Sequence, residues 1–162
     1  MTTKDLLKHN INQAHFIANA YLKDLSDSDL LTRPAPGANH IAWQLGHLIA
    51  SERQMIEAIG CRMPELPAGF VEKHSKETAA SNGPAGFATK SEYLALFARM
   101  HEATLRAIDA TADADMDRPG PESMRAYAPT VGAIFAMIAT HEVMHAGQFA
   151  VLRRKLGKPV VI

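Results

Sequence analysis

The pattern that most constrains the fold is a seam of residues near the end of the chain. Its members recur at spacings of four and three positions: Ile134, Ile138, His141, His145, Gln148 and Leu152. Because a helix turns about 100° per residue, this spacing places all six on the face that a helix packs into a bundle. We therefore predict a long bundle helix from about Thr130 to Leu156, with Pro129 before it and Gly157 after it.

Three earlier stretches also have helical periodicity. The first runs from about Thr3 to Leu25, and the second begins near Asn39 and ends at Gly60. The third begins near Thr89, which has capping-box spacing with Glu92, and it fades near Asp113. No stretch has the alternation of strands joined by hairpin turns. The sequence thus predicts four helices and no sheet.

The connection between the second and third helices is long, from Cys61 to Ala88. A short loop would force these two helices to be antiparallel, whereas a long one allows them to run parallel. We predict one all-α domain over residues 1–162, a four-helix bundle with this long connection in its middle. Long loops often carry ligand-binding residues, so the connection is a candidate part of any site.

The charge balance argues against several classes of partner. The formal net charge is zero, whereas nucleic acids and acidic membranes select a basic excess. One cysteine, Cys61, excludes an internal disulfide and is typical of a reducing compartment. Without a signal peptide or an apolar run of membrane-spanning length, we expect a cytoplasmic protein. A basic cluster near the end is expected to complement the helix dipole rather than bind phosphate: Arg153, Arg154, Lys155 and Lys158.

Three polar side chains occupy core-facing positions of the last helix, namely His141, His145 and Gln148. Burying such groups without partners would cost about 1–3 kcal/mol each. One metal ion bound by two histidines four residues apart would be the polar partner that both imidazoles need. The alternative is a pair of core histidines bonded to side chains or water.

The segment from His141 to His145 also has the HExxH pattern of zinc proteases. Those enzymes take a third ligand from downstream, but the seventeen residues after His145 contain no His, Asp, Glu or Cys. The protease interpretation therefore fails, and a third ligand must come from upstream. Glu142 points about 100° away from the face of His141. We expect it to be solvated or ion-paired between subunits rather than a general base.

The best upstream ligand is His47, which lies in an apolar part of the second helix. Gly46 precedes it and would allow a close backbone approach. His101 and His15 are the alternatives, and His40 is expected near the exposed start of the helix.

Three further residues lie close to these histidines. Glu52 follows His47 by five positions and is expected to be a surface or ion-pairing residue rather than a fourth ligand. Trp43 is expected in the core. Gln148 faces the proposed site, where it could contact a bound cofactor or satisfy the core.

Two segments resemble the DinB-like family, which includes bacillithiol- and mycothiol-dependent transferases and isomerases. They are Asn39–Leu48, with its tryptophan and histidine, and His141–Gln148, with its HxxxH pair followed by Gly-Gln. The resemblance implies an up-down-down-up four-helix bundle that often dimerises. It also implies a site of three histidines, here His47, His141 and His145, which usually holds zinc or nickel.

Three imidazoles leave open positions on a divalent ion, as in catalytic rather than structural zinc sites. We therefore expect a metal-dependent enzyme, either a thiol-dependent S-transferase or isomerase or a hydrolase. Its cofactors would be one divalent ion, zinc or nickel, and a low-molecular-weight thiol. The alternatives are a non-catalytic metal-containing binding or stress-response module, and a structural bundle without metal. We expect a small-molecule partner and a homodimer.

Overall fold

The computed structural model describes residues 1–80 and 86–162, and all regular elements in these ranges are helical apart from one isolated bridge between Pro119 and Thr130. The helices are α1 Thr3–Leu22, α2 Asp27–Leu30, α3 Ile41–Ala58, α4 Phe70–Lys73, α5 Lys90–Ala110 and α6 Val131–Lys155. The all-α class is thus confirmed. Four of the helices, α1, α3, α5 and α6, correspond to the four predicted stretches, and none of the described helices is long and apolar enough to cross a membrane.

The long helices meet through polar pairs as well as through their apolar faces. The apolar cluster that they enclose draws on all four. The polar pairs are His15 with Glu142 and Tyr21 with Arg153 between α1 and α6, Asn12 with His101 between α1 and α5, Glu52 with Thr104 between α3 and α5, and Gln44 with His145 between α3 and α6. These pairs place polar groups of neighbouring helices opposite one another.

The starts of the long helices are capped by side chains. The Thr89 hydroxyl accepts from the backbone N–H of Glu92, and the Glu92 carboxylate accepts from that of Thr89, so the predicted capping box is confirmed. At α3 the cap is His40, one residue after the predicted Asn39, and its Nδ1 accepts from the backbone N–H of Trp43 at 3.1 Å.

His40 is fully buried, so its expected exposed position was wrong. The ring of Phe87 packs edge-on against it, with the centroids 4.5 Å apart. The residue that starts α3 is therefore covered by the far end of the connection that follows the helix.

The connection from Cys61 to Ala88 is held against α3, although residues 81–85 of it lie outside the described residues. His74 is buried and donates from Nδ1 to the carbonyl of Phe70 at 2.7 Å, so its Nε2 accepts from the Tyr93 hydroxyl at 2.7 Å. A Cβ atom on Gly46 would lie 2.0 Å from the His74 ring. The close approach expected at Gly46 is thus confirmed, and His74 is the group that approaches.

The basic cluster near the C-terminus contains a buried arginine. Arg153 is 1% exposed and donates to the carboxylate of Asp24. It also donates to the carbonyls of Tyr21 at 2.9 Å and Pro159 at 2.8 Å. Arg153 therefore joins the end of α6 to the end of α1 and to the C-terminal segment.

Candidate metal centre

Helices α3 and α6 bring together His47, His141 and His145. One nitrogen of each ring lies within 4.8 Å of the nitrogens of the other two. His145 is buried, while His47 and His141 are half-buried. Among residues 1–80 and 86–162, no other three histidine, cysteine or acidic residues are grouped in this way.

The orientation of His145 is fixed by Gln44 on the neighbouring helix. The Gln44 amide nitrogen donates to the carbonyl of Asn39 at 2.6 Å, which leaves the Gln44 oxygen as an acceptor. This oxygen lies 2.8 Å from His145 Nδ1, which must then carry the hydrogen. The lone pair of His145 is therefore on Nε2, the nitrogen that faces His141.

The spacing of the two Nε2 atoms suits a shared ion. They are 3.2 Å apart. Two nitrogens bound to one zinc ion at about 2.0–2.1 Å, with a tetrahedral or right angle between them, lie about 2.8–3.4 Å apart. Without an ion, the same distance fits a hydrogen bond from His141 to His145. The spacing of His141 and His145 thus fits a divalent metal, and imidazole ligands are common for zinc, nickel, copper and iron.

Burial keeps these histidines neutral. Burial, followed by the effect of neighbouring histidines, lowers the pKa of His141 to about 4 and that of His145 to about 3. Burial, followed by the nearby Lys76 ammonium, also lowers the pKa of His47. Since a metal binds the neutral form of imidazole, little proton competition is expected at pH 7.

The comparisons with known proteins agree with the all-helical fold. The sequence profile of the DinB superfamily matches residues 13–149. The chain belongs to the DinB superfamily. A crystal structure of a conserved protein from Enterococcus faecalis is similar to this DinB-superfamily chain, with a TM-score of 0.72 at 19% identity over 98% of this chain and 99% of that one. At that identity the likeness concerns the fold alone. A comparison with curated proteins finds no match.

Trp43 lies against the site from within α3. Its ring stacks on that of His47, with centroids 5.0 Å apart and an angle of 7° between the planes. The indole N–H donates to the carbonyl of Ser75 at 3.0 Å. The residue expected in the core is therefore buried, and it also supports one candidate ligand of this DinB-superfamily site.

The alternative ligands, His15 and His101, lie apart from the three histidines. Their rings stack on each other 4.0 Å apart, between α1 and α5. His101 Nε2 is 2.9 Å from the side-chain oxygen of Asn12. Burial lowers the pKa of both histidines to about 4. These two residues therefore belong to a separate, half-buried polar group between α1 and α5.

Glu142 and Glu52 are both buried, so the expectation of solvated or surface positions was wrong. Glu142 is 3% exposed because α6 packs on α1 there, and its Oε1 is 3.4 Å from His15 Nδ1. Glu52 accepts a 2.6 Å hydrogen bond from the Thr104 hydroxyl. Burial raises the pKa of each carboxyl to about 8. The Glu142 carboxyl faces His15 rather than the three histidines, so it is not placed to act as a general base there.

The glutamine that hydrogen-bonds a candidate ligand is Gln44. Gln148 is half-buried and makes no hydrogen bond to His47, His141 or His145 among the described residues. Sequence reasoning missed Gln44, although it is a polar residue within an apolar segment, three positions before His47. That position was the available signal, since buried polar groups need partners.

Proposed function

We propose that this protein binds one divalent metal ion, zinc or nickel, through His47, His141 and His145. The observation that supports this most strongly is the convergence of three neutral imidazoles from two helices. Gln44 holds one of them in the tautomer that a ligand needs. A site with three protein ligands leaves positions for a small molecule, as catalytic zinc sites do.

The proposed activity is that of a metal-dependent enzyme, a thiol-dependent S-transferase or isomerase or a hydrolase. The ion would supply Lewis acidity, which lowers the pKa of a coordinated thiol or water. The protein would hold the three ligands rigid, with His145 buried and His47 and His141 half-buried. Cavities that reach His47 from two sides would admit a small molecule. Gln148 is proposed to contact the bound cofactor or substrate.

Metal content tests the ligand set. Protein purified without an affinity tag should bind one zinc or nickel ion per chain, measured by mass spectrometry of metals. Each of the variants His47→Ala, His141→Ala and His145→Ala should lose it. His9→Ala is the matched control because His9 is exposed on α1. Trace metal in the unaltered protein, with no change in His47→Ala, would contradict the three-ligand site.

Turnover tests the proposed enzyme. Metal-loaded protein should accelerate reaction of small thiols with an electrophile, or hydrolysis of activated esters, and His145→Ala should fall to the uncatalysed rate. Equal rates in both proteins would contradict catalysis at this site. Circular dichroism of the variant, matching the unaltered protein, establishes that the helices are retained.

A non-catalytic metal-containing binding or stress-response module is the second candidate. The position of Glu142 favours it, because this carboxyl faces His15 and not the three histidines. A specific small molecule that raises the melting temperature of the metal-loaded protein, with no turnover of any thiol or ester tested, would support the module over the enzyme.

We also propose that α1, α3, α5 and α6 form a four-helix bundle with up-down-down-up order. The paired residues support it, since positions along α1 and α6 rise together, whereas α3 runs opposite to α6 and α5 runs opposite to α1. A cytoplasmic homodimer remains part of the proposal, with no nucleic-acid or membrane partner. Sedimentation equilibrium at micromolar concentration tests the dimer.

A further inference from the structure

The outer surfaces of α1 and α6 lack charge along most of their length. Residues 9–22 contain no Asp, Glu, Lys or Arg, and residues 131–152 contain only Glu142. That carboxyl is buried and lies against His15 of α1, so it does not reach the outer surface. Because charged residues make up 21% of the whole chain, their absence here is a property of these two helices.

The outer surface of α5 has the opposite character. Its exposed positions include Arg99, Glu102, Arg106 and Asp109, which recur at spacings of three and four residues. This is the pattern of a helix face that remains in contact with water. The side of the molecule formed by α5 is therefore solvated, and the side formed by α1 and α6 differs from it.

The exposed large apolar side chains of the long helices gather on the uncharged side. Among the described residues of α1, α3, α5 and α6, all of them lie on α1 or α6, and they are Leu6, Phe16, Val143, Met144 and Val151. Phe16 is 67% exposed and Met144 is 59% exposed. We call the surface that these five residues define the α1–α6 face. Exposed apolar patches of this kind mark interaction sites on soluble proteins.

The two helices present this face together. Their paired residues, His15 with Glu142 and Tyr21 with Arg153, show that α1 and α6 lie side by side and run in the same direction. Phe16 and Val143 each follow a member of the first pair, so they lie at the same level of the two helices. The face is thus one continuous surface rather than two separate stripes.

A second copy of this chain is the partner whose charge fits the α1–α6 face. In a twofold dimer the same surface of both copies meets, so a charged patch would face its own charge. A face without charge avoids this repulsion, and a formal net charge of zero adds none at longer range. An acidic membrane surface would instead select lysine and arginine, which residues 9–22 and 131–152 do not contain.

The α1–α6 face is also large enough for a specific dimer. From Ala136 to Val151, α6 extends about 23 Å at 1.5 Å per residue, and two helices packed side by side are about 20 Å wide. Each copy would contribute roughly 500 Å², so a pair would bury roughly 1,000 Å², the size at which specific interfaces begin.

We propose that the α1–α6 face is the interface of a homodimer, in which the outer surfaces of α1 and α6 pack on those of a second copy. This rests on the homodimer of the proposed function and adds which surface forms it. Phe16, Val143 and Met144 are its apolar anchors, since a few large side chains carry most of the binding energy of an interface. The charged surface of α5 stays in water.

Sedimentation equilibrium at micromolar concentration tests this interface. The unaltered protein should have twice the mass of one chain. Phe16→Glu and Val143→Glu each place carboxylates in the interface and should weaken the dimer about 30-fold or more. Ala95→Glu, the matched control, adds the same group at an exposed position of α5 and should leave the dimer unchanged. Circular dichroism establishes that each variant retains its helices.

Hydroxyl-radical footprinting provides an independent measurement on the unaltered chain. When the protein is diluted until the dimer dissociates, oxidation of Phe16 and Met144 should increase. Oxidation of Val71, which is 51% exposed on α4, should not.

The outcomes separate the interface from the homodimer. A dimer that persists in both glutamate variants, with no change in the oxidation of Phe16, would overturn the interface while leaving the homodimer intact. A single chain at every concentration would overturn both, without bearing on the metal ligands. If that single chain also sediments with phosphatidylcholine vesicles, the face binds lipid and not a second copy.

Discussion

The hydrogen bond between His145 and Gln44 joins residues 101 positions apart in the chain. It selects the Nδ1–H tautomer of His145 and leaves Nε2 for a metal. The spacing of His141 and His145, four residues apart, is local and is visible in the sequence. Gln44 could not be assigned to His145 in the same way, because their contact depends on how α3 packs against α6.

Replacing Gln44 is expected to weaken metal binding. Gln44→Leu removes the acceptor for His145 Nδ1–H at similar side-chain size, so zinc affinity should fall about 10- to 100-fold. Competition with a chromophoric chelator measures this. Gln148→Leu is the matched control and should leave zinc affinity unchanged, since Gln148 has no bond to the three histidines. Equal losses in the two variants would show that the effect is not specific to Gln44.

We expect the substitution of glycine by alanine to have opposite effects on stability at two positions of the long helices. Gly46→Ala would put a Cβ against the His74 ring, so the free energy of unfolding should fall by about 1–3 kcal/mol. Gly147→Ala meets no atom within 4 Å and should raise it by about 0.5–1 kcal/mol through helix propensity. Urea denaturation of both variants checks the pair. A neutral Gly46→Ala would contradict the close packing of the connection on α3.

The starts of the helices could be predicted where the capping residues lie close together in the sequence. The Thr89 capping box needs only residues three apart, and Thr130 caps α6 next to the predicted start. The burial of His40 was not predictable in this way, since it comes from Phe87 beyond the long connection. Glu142 was misplaced because α6 packs on both α1 and α3, so a face outside the histidine seam is also buried.

At the scale of the whole molecule, the interior contains ionisable groups that a sequence pattern assigns to the surface. Glu52 and Glu142 are held among helices that meet only in the folded state. Periodicity predicts one buried face per helix, while the observed packing covers more than one. The class of fold followed from the sequence, whereas the polar interior required the three-dimensional arrangement.

Stability should therefore depend on pH through Glu52. Its pKa rises from 4.5 to about 8 on folding, so the folded state keeps a proton that the unfolded state has lost. The contribution of Glu52 to the free energy of unfolding should then fall as pH rises from 4.5 toward 8, whereas below 4.5 both states are protonated. Glu52→Gln should be more stable than the unaltered protein at pH 8, on the order of 1–3 kcal/mol.

Thermal unfolding at pH 5 and pH 8 measures this difference. The gain in Glu52→Gln should be larger at pH 8 than at pH 5. Glu65→Gln, the same change at an exposed position, should show no such growth. A gain that is independent of pH would point to packing rather than to the proton on Glu52.

The stacking of Trp43 on His47 gives the protein an intrinsic optical reporter. Trp43 is the single tryptophan of the sequence, so all indole fluorescence comes from one ring 5.0 Å from a candidate ligand. Its N–H is bound to the connection that carries Lys76. The fluorescence of the unlabelled chain should therefore change when a ligand binds at His47 or when the connection moves.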